Sequence, residues 1–372
     1  MPKNIVICCD GTGNEFGRSN SNVVKLYKVL SQSESQIMYY NPGIGTMGSR
    51  NALSRVGKLW TRLIGLAFGY GISDNVADAY QFLMRTFQPE DPIYVFGFSR
   101  GAYTARALCG MLHCVGLLTP GNEGLIPYAI RMLKSKHLDF PVSAEFKKTF
   151  SRDCKVRFVG VWDTVSSVGW VYDAVRFPFT NATNNPDMRI IRHAVSIDER
   201  RAFFRQNLFG EPHDADQDVQ EAWFAGVHSD VGGSYPESES QLSKLALRWM
   251  LCEAELAGLQ VDQQRKADIL GGKAPYVQPD AVTPNQHESL RGGWWIAELW
   301  PKIVHKRTGQ GTWGKSIRAN LGRRRWMAPD SVVHESVETR FGSLALNYKP
   351  ANLPLQRTSV NDRCPDTGSV AN

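Results

Sequence analysis

The segment Ile93–Gly116, IYVFGFSRGAYTARALCGMLHCVG, constrains this chain more than any other stretch. It opens on an apolar run, Ile93–Phe96, set off upstream by the turn-forming Pro89-Glu90-Asp91-Pro92, which is how a buried central strand reads. Gly97-Phe98-Ser99-Arg100-Gly101 follows, and then a helical pattern with Ala102, Ala105, Leu108, Cys109 and Leu112 on one face. Strand, G-x-S-x-G, helix is the context in which that motif forms a nucleophile elbow. Ser99 then has to sit on a strained turn with its hydroxyl above the sheet. Side chains two residues before and after would collide with neighbouring elements, which selects Gly97 and Gly101. The helix that follows aims its free N–H groups and its dipole at the same point, suiting a developing negative charge.

The rest of the chain supplies a sheet for this elbow. Ile5–Cys9 is a first strand and delivers the loop Asp10-Gly11-Thr12-Gly13-Asn14 at its C-terminal end, where open α/β sheets bind ligands. Asn22–Leu30 and Ile72–Phe87 are amphipathic helices, with Ile37–Tyr40 a strand between them. Val156–Val161 is a strand ending in Trp162-Asp163-Thr164, Ala222–Val227 is another ending at His228, and Leu242–Leu256 is a helix stopped by Gly258. The pattern predicts a three-layer α/β-hydrolase-like fold: a mostly parallel sheet flanked by helices, in one domain over 1–345. Lid material is expected at 45–70 and 260–330. Composition makes 346–372 a loose tail.

Ser99, Asp163 and His228 each stand just past a strand, in the chain order Ser, Asp, His that α/β-hydrolases use. A serine hydroxyl needs a base within reach, and the base needs an orienting acid. Position makes His228 the base and Asp163 the orienter, with Asp230 either the orienter instead or a brace for the loop. His193 and His334 are rival bases, His334 being the main alternative; His113, inside the elbow helix, reads as structural. The Arg100 N–H and one from Gly11 or Thr12 would form the oxyanion hole, with Asp10 bracing that loop. The string DGT also occurs in phosphohydrolases with an aspartyl nucleophile, but those need a second Asp where this chain has Cys8. Asp10, His228 and Asp230 could offer hard metal ligands, yet no i, i+4 histidine pair or closed spacing supports a metal, and the chemistry needs no cofactor.

At this point five strings in order, CDGTGN, GFSRGAYTAR, VGVWDTVSSVG, HAVSIDERR and WFAGVHSDVGGSY, carry a resemblance. They resemble the α/β-hydrolase domain of the type VI secretion phospholipase effectors and their uncharacterised relatives, over roughly residues 4 to 235. The resemblance implies a Ser-Asp-His esterase acting on lipid acyl esters and carries the nucleophile to Ser99. The acid and base roles of Asp163 and His228 rest on strand ends and chain order. Long effectors of that family carry large membrane-docking domains, whereas this chain has only residues 289–326. The alternative class is a catalytically idle lipid- or partner-binding module on the same fold, which has no need of an elbow serine plus both partners.

Charge concentrates in that same stretch. The chain carries +7 overall, and Ser289–Trp326 alone holds nine Lys/Arg against one acid, Glu298. The basic residues are interleaved with Trp294, Trp295, Trp300, Trp313 and Trp326, a combination that suits an anionic membrane surface better than nucleic acid, for which no binding module is present. On this expectation Arg323, Arg324 and Arg325 can be replaced without touching the hydrolysis of a small ester. Seven cysteines without C-x-x-C spacing argue against a disulfide framework and a zinc site; Cys8, Cys9 and Cys109 read as core residues of a reducing compartment. No signal peptide or transmembrane run is apparent, so the expected location is cytoplasmic, with export as an effector needing no leader.

Overall fold

The computed structural model describes residues 2–11, 17, 19–43, 71–134, 140–165, 177–299, 302–307 and 313–364. The expected lid at 45–70 and Thr12 lie outside these residues. Among them, eight strands form one sheet: β1 (Asn4–Cys9), β2 (Gln36–Asn41), β3 (Ile93–Phe98), β4 (Val156–Trp162), β5 (Met188–Ser196), β6 (Asp218–Phe224), β7 (Val332–His334) and β8 (Thr358–Val360). Their spatial order is β8-β7-β6-β5-β4-β3-β1-β2, and every pairing is parallel.

A parallel sheet has its crossovers on both faces, so its central strands must be apolar on both sides. β1 and β3 are buried at every position. Alternation then sorts their side chains into two cores. Ile5, Ile7, Cys9, Ile93 and Val95 pack with helices α2 (Ile72–Thr86) and α3 (Arg100–Val115). Val6, Cys8, Tyr94, Phe96 and Phe98 pack with α1 (Asn22–Val29) and, beyond the single turn α4 (His228–Gly232), with α5 (Gln241–Leu256). The strand order reverses between β1 and β3, which opens a crevice at their carboxyl ends. The loop at Asp10 and the elbow at Ser99 flank that crevice.

The C-terminal third departs from expectation. Residues 260–283 belong to the body: Leu259 and Ile269 join the core beside α1, and Asp262 caps a helix, Gln263–Leu270, through the Arg265 N–H. Later in 260–330, α6 (Trp294–Leu299) is followed by an antiparallel pair, Lys302–Arg307 with Trp313–Arg318, that forms a sheet of its own. Of the segment read as a loose tail, the described residues 346–364 are docked. Tyr348 is buried with Trp223, Val333 and Val337, and Thr358–Val360 pairs with β7 as the edge strand. Cys252 and Cys364 form a disulfide that ties this part of the chain to α5, where Arg363 also pairs with Glu253 at 2.8 Å. That single disulfide departs from the expectation of none, while Cys8, Cys9 and Cys109 are buried free thiols as read. Its partners are 112 residues apart, so no local spacing could announce it.

Candidate active site

The elbow has the strain its motif demands. Ser99 adopts φ +59° and ψ −119° and caps the N-terminus of α3. A Cβ on Gly97 would lie 2.6 Å from the Ala102 Cα, and one on Gly101 would lie 2.2 Å from the Cys9 carbonyl oxygen. Gly97 thus lets β3 fold back against its own helix, and Gly101 lets that helix sit on the end of β1. The Ser99 N–H donates to the Trp162 carbonyl at 3.1 Å, which places Asp163 on the adjacent strand end. Asp163 is itself held at φ +40°, an uncommon conformation for a non-glycine residue.

His228 opens α4 after β6, and its Nδ1 stands 2.5 Å from Asp163 Oδ2. An ionised carboxylate only accepts, so Nδ1 carries the proton and Nε2 keeps its lone pair. The imidazole is fixed from two sides, stacked on Phe98 at 4.6 Å and edge-on to Phe204 at 4.8 Å between ring centroids. Phe98 is the residue before Ser99, so the ring stacks on a side chain of the elbow itself. Burial drives the His228 pKa down; the hydrogen bond and charge of Asp163 pull it back, but the balance remains below the ordinary histidine value. His228 is therefore neutral, a proton acceptor, at pH 7.

Asp163 has a second partner that sequence reasoning assigned elsewhere. Arg325 Nη1 lies 2.5 Å from Asp163 Oδ1 and Nη2 lies 3.0 Å from Oδ2, while the Ser196 N–H also donates to Oδ1 at 2.9 Å. The guanidinium is held in turn by the Ser196 hydroxyl at 2.7 Å and the Phe204 carbonyl at 3.2 Å. Burial alone would raise the Asp163 carboxyl, but the Arg325 charge and the His228 hydrogen bond outweigh it and hold it far below the usual carboxylate range. Of the three arginines expected on a lipid surface, Arg323 and Arg324 are exposed, Arg324 also pairing with Asp198 at 3.2 Å, while Arg325 is buried. A run of three arginines carries no signal of which one turns inward.

Glu199 was visible only as one acid in the dense HAVSIDERR segment. It is buried and accepts from the His228 N–H at 3.2 Å, from the Ser289 hydroxyl at 2.9 Å and from Arg201 Nη2 at 2.9 Å. Burial opposes its ionisation, yet the Arg201 hydrogen bond and charge, then Arg325 and His228, bring its pKa down to about 2. Asp230 does not reach the His228 ring. It accepts from the Val227 N–H at 3.1 Å, bracing the loop, and binds His287 Nδ1 at 2.6 Å. Glu298 of α6 accepts from the Ala202 N–H at 2.7 Å and from Asn320 at 2.6 Å. Carboxylates on both sides thus hold residues 287–298 and 320–325 against the loops that carry His228.

The remaining residues fall outside this cluster. His193 Nε2 accepts from the Thr164 N–H and its Nδ1 faces Glu221, so both nitrogens are engaged within the sheet. His334 is buried at the end of β7, stacked on Phe224, with Nδ1 on Ser336 and Nε2 3.1 Å from Asp362. Asp10 accepts from Tyr40, Ser21 and the Gly11 N–H, the last at 2.6 Å, so it braces its loop while the Gly11 amide is turned to it. Asp10, His228 and Asp230 do not converge on one point. Among the described residues only His334, Glu335 and Asp362 bring possible metal ligands together, and there Arg248 already occupies Asp362 Oδ2 at 2.5 Å.

The family model described as the catalytic domain of T6SS phospholipase effector, Tle1-like, matches residues 3–253. The chain belongs to this family. It is also similar to the uncharacterized protein YEL023C of Saccharomyces cerevisiae, 41% identical over 226 residues, covering 56% of this chain and 33% of that protein. An uncharacterized protein from Pseudomonas aeruginosa of known crystal structure is 22% identical with a TM-score of 0.40, covering 71% of this chain and 47% of that one. The chain thus spans a third of the yeast protein and about half of the bacterial one. Arg325 and His287 lie outside the matched residues. Among the described residues no helix is long and apolar enough to cross a membrane.

Proposed function

We propose that the chain is a serine ester hydrolase acting on lipid acyl esters, with Ser99 as nucleophile, His228 as base and Asp163 as the acid that orients it. The observation that carries this reading is the 2.5 Å contact between His228 Nδ1 and Asp163, made over the strained elbow of Ser99. His228 Nε2 takes the Ser99 proton as Oγ bonds to the ester carbonyl carbon. The oxyanion is held by the Arg100 N–H and by one from the loop after β1; with the Gly11 amide turned to Asp10, the Thr12 N–H is the better choice. Collapse breaks the bond to the alcohol, which leaves with the proton from His228. Water then attacks the acyl-enzyme by the same route and the fatty acid is released, with Ser99 restored.

Two features favour a lipid. The family is one of phospholipases. On the cap, Trp294 packs against Phe204 at 5.7 Å, while Trp295, Ile296 and Leu299 of the same helix stand exposed, as do Leu321 and Trp326 further along the chain. Those exposed apolar side chains, with the basic residues of 289–326 around them in sequence, suit an anionic membrane surface. A fluorophosphonate probe followed by peptide mass mapping tests the mechanism. The adduct should fall on the peptide containing Ser99, and Ser99→Ala should abolish it without loss of folding. A folded protein that leaves Ser99 unlabelled by even a small probe would instead be a binding module.

A further inference from the structure

Five arginines are buried among the described residues, and four of them are visibly neutralised or saturated. Arg106 reaches Asn181 and the carbonyls of Thr180, Asn207 and Leu208. Arg192 pairs with Glu253 and Asp218, Arg325 with Asp163, and Arg340 bonds Gln286 and the carbonyls of Ala281 and Thr283. The buried lysines Lys25 and Lys244 share Glu237. Arg100 is the exception. It is 7% exposed, its Nη2 is buried without a hydrogen-bond partner, and no carboxylate among the described residues pairs with it. Burial pushes its guanidinium down to about 9, with no neighbouring charge to offset that, and it is still a cation at neutral pH.

A buried cation without a counter-charge works against the stability of the fold. Such a group persists where its partner arrives from outside, and perturbed cations of this kind concentrate at functional sites. Arg100 is also placed for one particular visitor. It is the first residue of the 16-residue helix α3, its Cα a single peptide step of about 3.8 Å from that of Ser99. Anything bound at the nucleophile lies within one extended arginine side chain. The free N–H groups of the first turn add positive potential at the same end. The guanidinium fork matches a phosphate with two parallel hydrogen bonds.

We infer that Arg100 receives the phosphate of the substrate, so that the site selects acyl esters whose alcohol bears a phosphate or phosphodiester a few bonds from the scissile carbonyl, as in a glycerophospholipid. This rests on the serine-hydrolase reading above and adds the residue that decides the substrate. The backbone N–H of Arg100 serves the oxyanion while its side chain neutralises the head-group phosphate. One residue thereby couples recognition of the alcohol to attack on the acyl group.

The test uses the full chain and two monomeric substrates with the same acyl groups, dihexanoyl phosphatidylcholine and dihexanoylglycerol, so that vesicle binding plays no part. Wild type should prefer the phosphodiester in kcat/KM on the order of 10- to 100-fold, the worth of a hydrogen bond to a charged group. Arg100→Met should bring that ratio toward one, and Arg100→Lys, which keeps the charge without the fork, should retain part of it. Arg100→Met should also melt no lower than wild type, because it removes an unpaired buried charge. A wild type indifferent to the phosphate overturns the inference, as does an Arg100→Met protein that keeps the preference. A variant that melts lower with its ratio unchanged marks Arg100 as packing alone. If Arg100→Met does not fold, the ratio measured for Arg100→Lys decides. If wild type cleaves neither ester and Ser99 takes no fluorophosphonate, the hydrolase reading fails first and this inference with it; labelling of Ser99 with an unchanged ratio sinks this inference alone.

Discussion

Arg325 grips both carboxylate oxygens of Asp163, at 2.5 and 3.0 Å, from 162 residues further along the chain. The grip keeps the acid ionised and fixes the plane of the carboxylate that His228 must meet. Replacing Arg325 with Met leaves Asp163 buried without its cation, and breaking one partner of a buried pair costs about 3–5 kcal/mol of stability. The same loss should raise the His228 pKa, since a positive neighbour that disfavoured the imidazolium has gone. The rate falls as the base becomes protonated, so the acid limb of the kcat/KM–pH profile should move to higher pH in Arg325→Met. Arg325→Lys restores the charge but not the fork and should recover stability more than rate. A profile unmoved in Arg325→Met would reduce Arg325 to a structural residue.

The assignment of the base separates by mutation. His228→Ala should lower turnover by about 10⁴–10⁶, the range for loss of a triad member. His334→Ala should cost at most about tenfold in turnover, because both its nitrogens are spent on Ser336 and Asp362 at the sheet edge, and its effect should be on stability. The opposite ranking would move the base to His334. Asp163→Asn with wild-type activity would give the orienting role to another acid.

The elbow, strands β1 to β4 and β6, and the positions of Ser99, Asp163 and His228 past their strand ends were legible because each is a local pattern, whereas β5, in the mixed RIIRHAVS run, was not read as a strand. An apolar run delivers a polar residue at its end, and parallel strands put all such ends on one side. What escaped the sequence is long-range pairing. Arg325 was indistinguishable from Arg323 and Arg324 until the cap folded over Asp163, and Glu199 was one acid among several. The docked tail reads as polar because its strand, Thr358–Val360, is an edge strand with exposed side chains. The Cys252–Cys364 pair has no motif at all.

Gly101 tests the local part of that reading. A methyl group there would meet the Cys9 and Asp10 carbonyl oxygens at 2.2 and 2.5 Å, backbone atoms of the central strand that cannot yield cheaply. Gly101→Ala should cost about 1–3 kcal/mol or more by overpacking. Denaturant unfolding measures it, and a midpoint equal to wild type would mean that α3 does not sit on β1 as described.

The cysteines give a covalent check. In denaturant without reductant the five unpaired cysteines, Cys8, Cys9, Cys109, Cys114 and Cys154, should alkylate, and all seven after reduction. Cys364→Ser should lower stability by about 2–4 kcal/mol, the usual worth of a native disulfide. Seven thiols reacting without reductant would show that the bond does not form in the protein tested.

His287 links the cap to the catalytic loop through charge. Its Nδ1 lies 2.6 Å from Asp230 and its Nε2 2.9 Å from Glu239, with Tyr235 stacked on the ring. The Asp230 hydrogen bond raises its pKa most, burial opposes, and the Glu239 hydrogen bond adds to the rise. Since the folded pKa stands above the ordinary value of about 6.5, the contribution of this clamp is complete below that value and is lost as pH climbs through the folded pKa. Asp230 follows His228 by two residues in α4, so releasing the clamp loosens the cap where it meets the base. Hydrogen exchange of residues 284–299, corrected for the intrinsic pH dependence, should therefore quicken between about pH 6 and about pH 9, ahead of the rest of the fold. His287→Gln should exchange quickly throughout that range and lose the pH step. Equal protection at both ends of the range, or a variant that behaves as wild type, would show that the cap is held by Glu298 and Arg325 without help from His287.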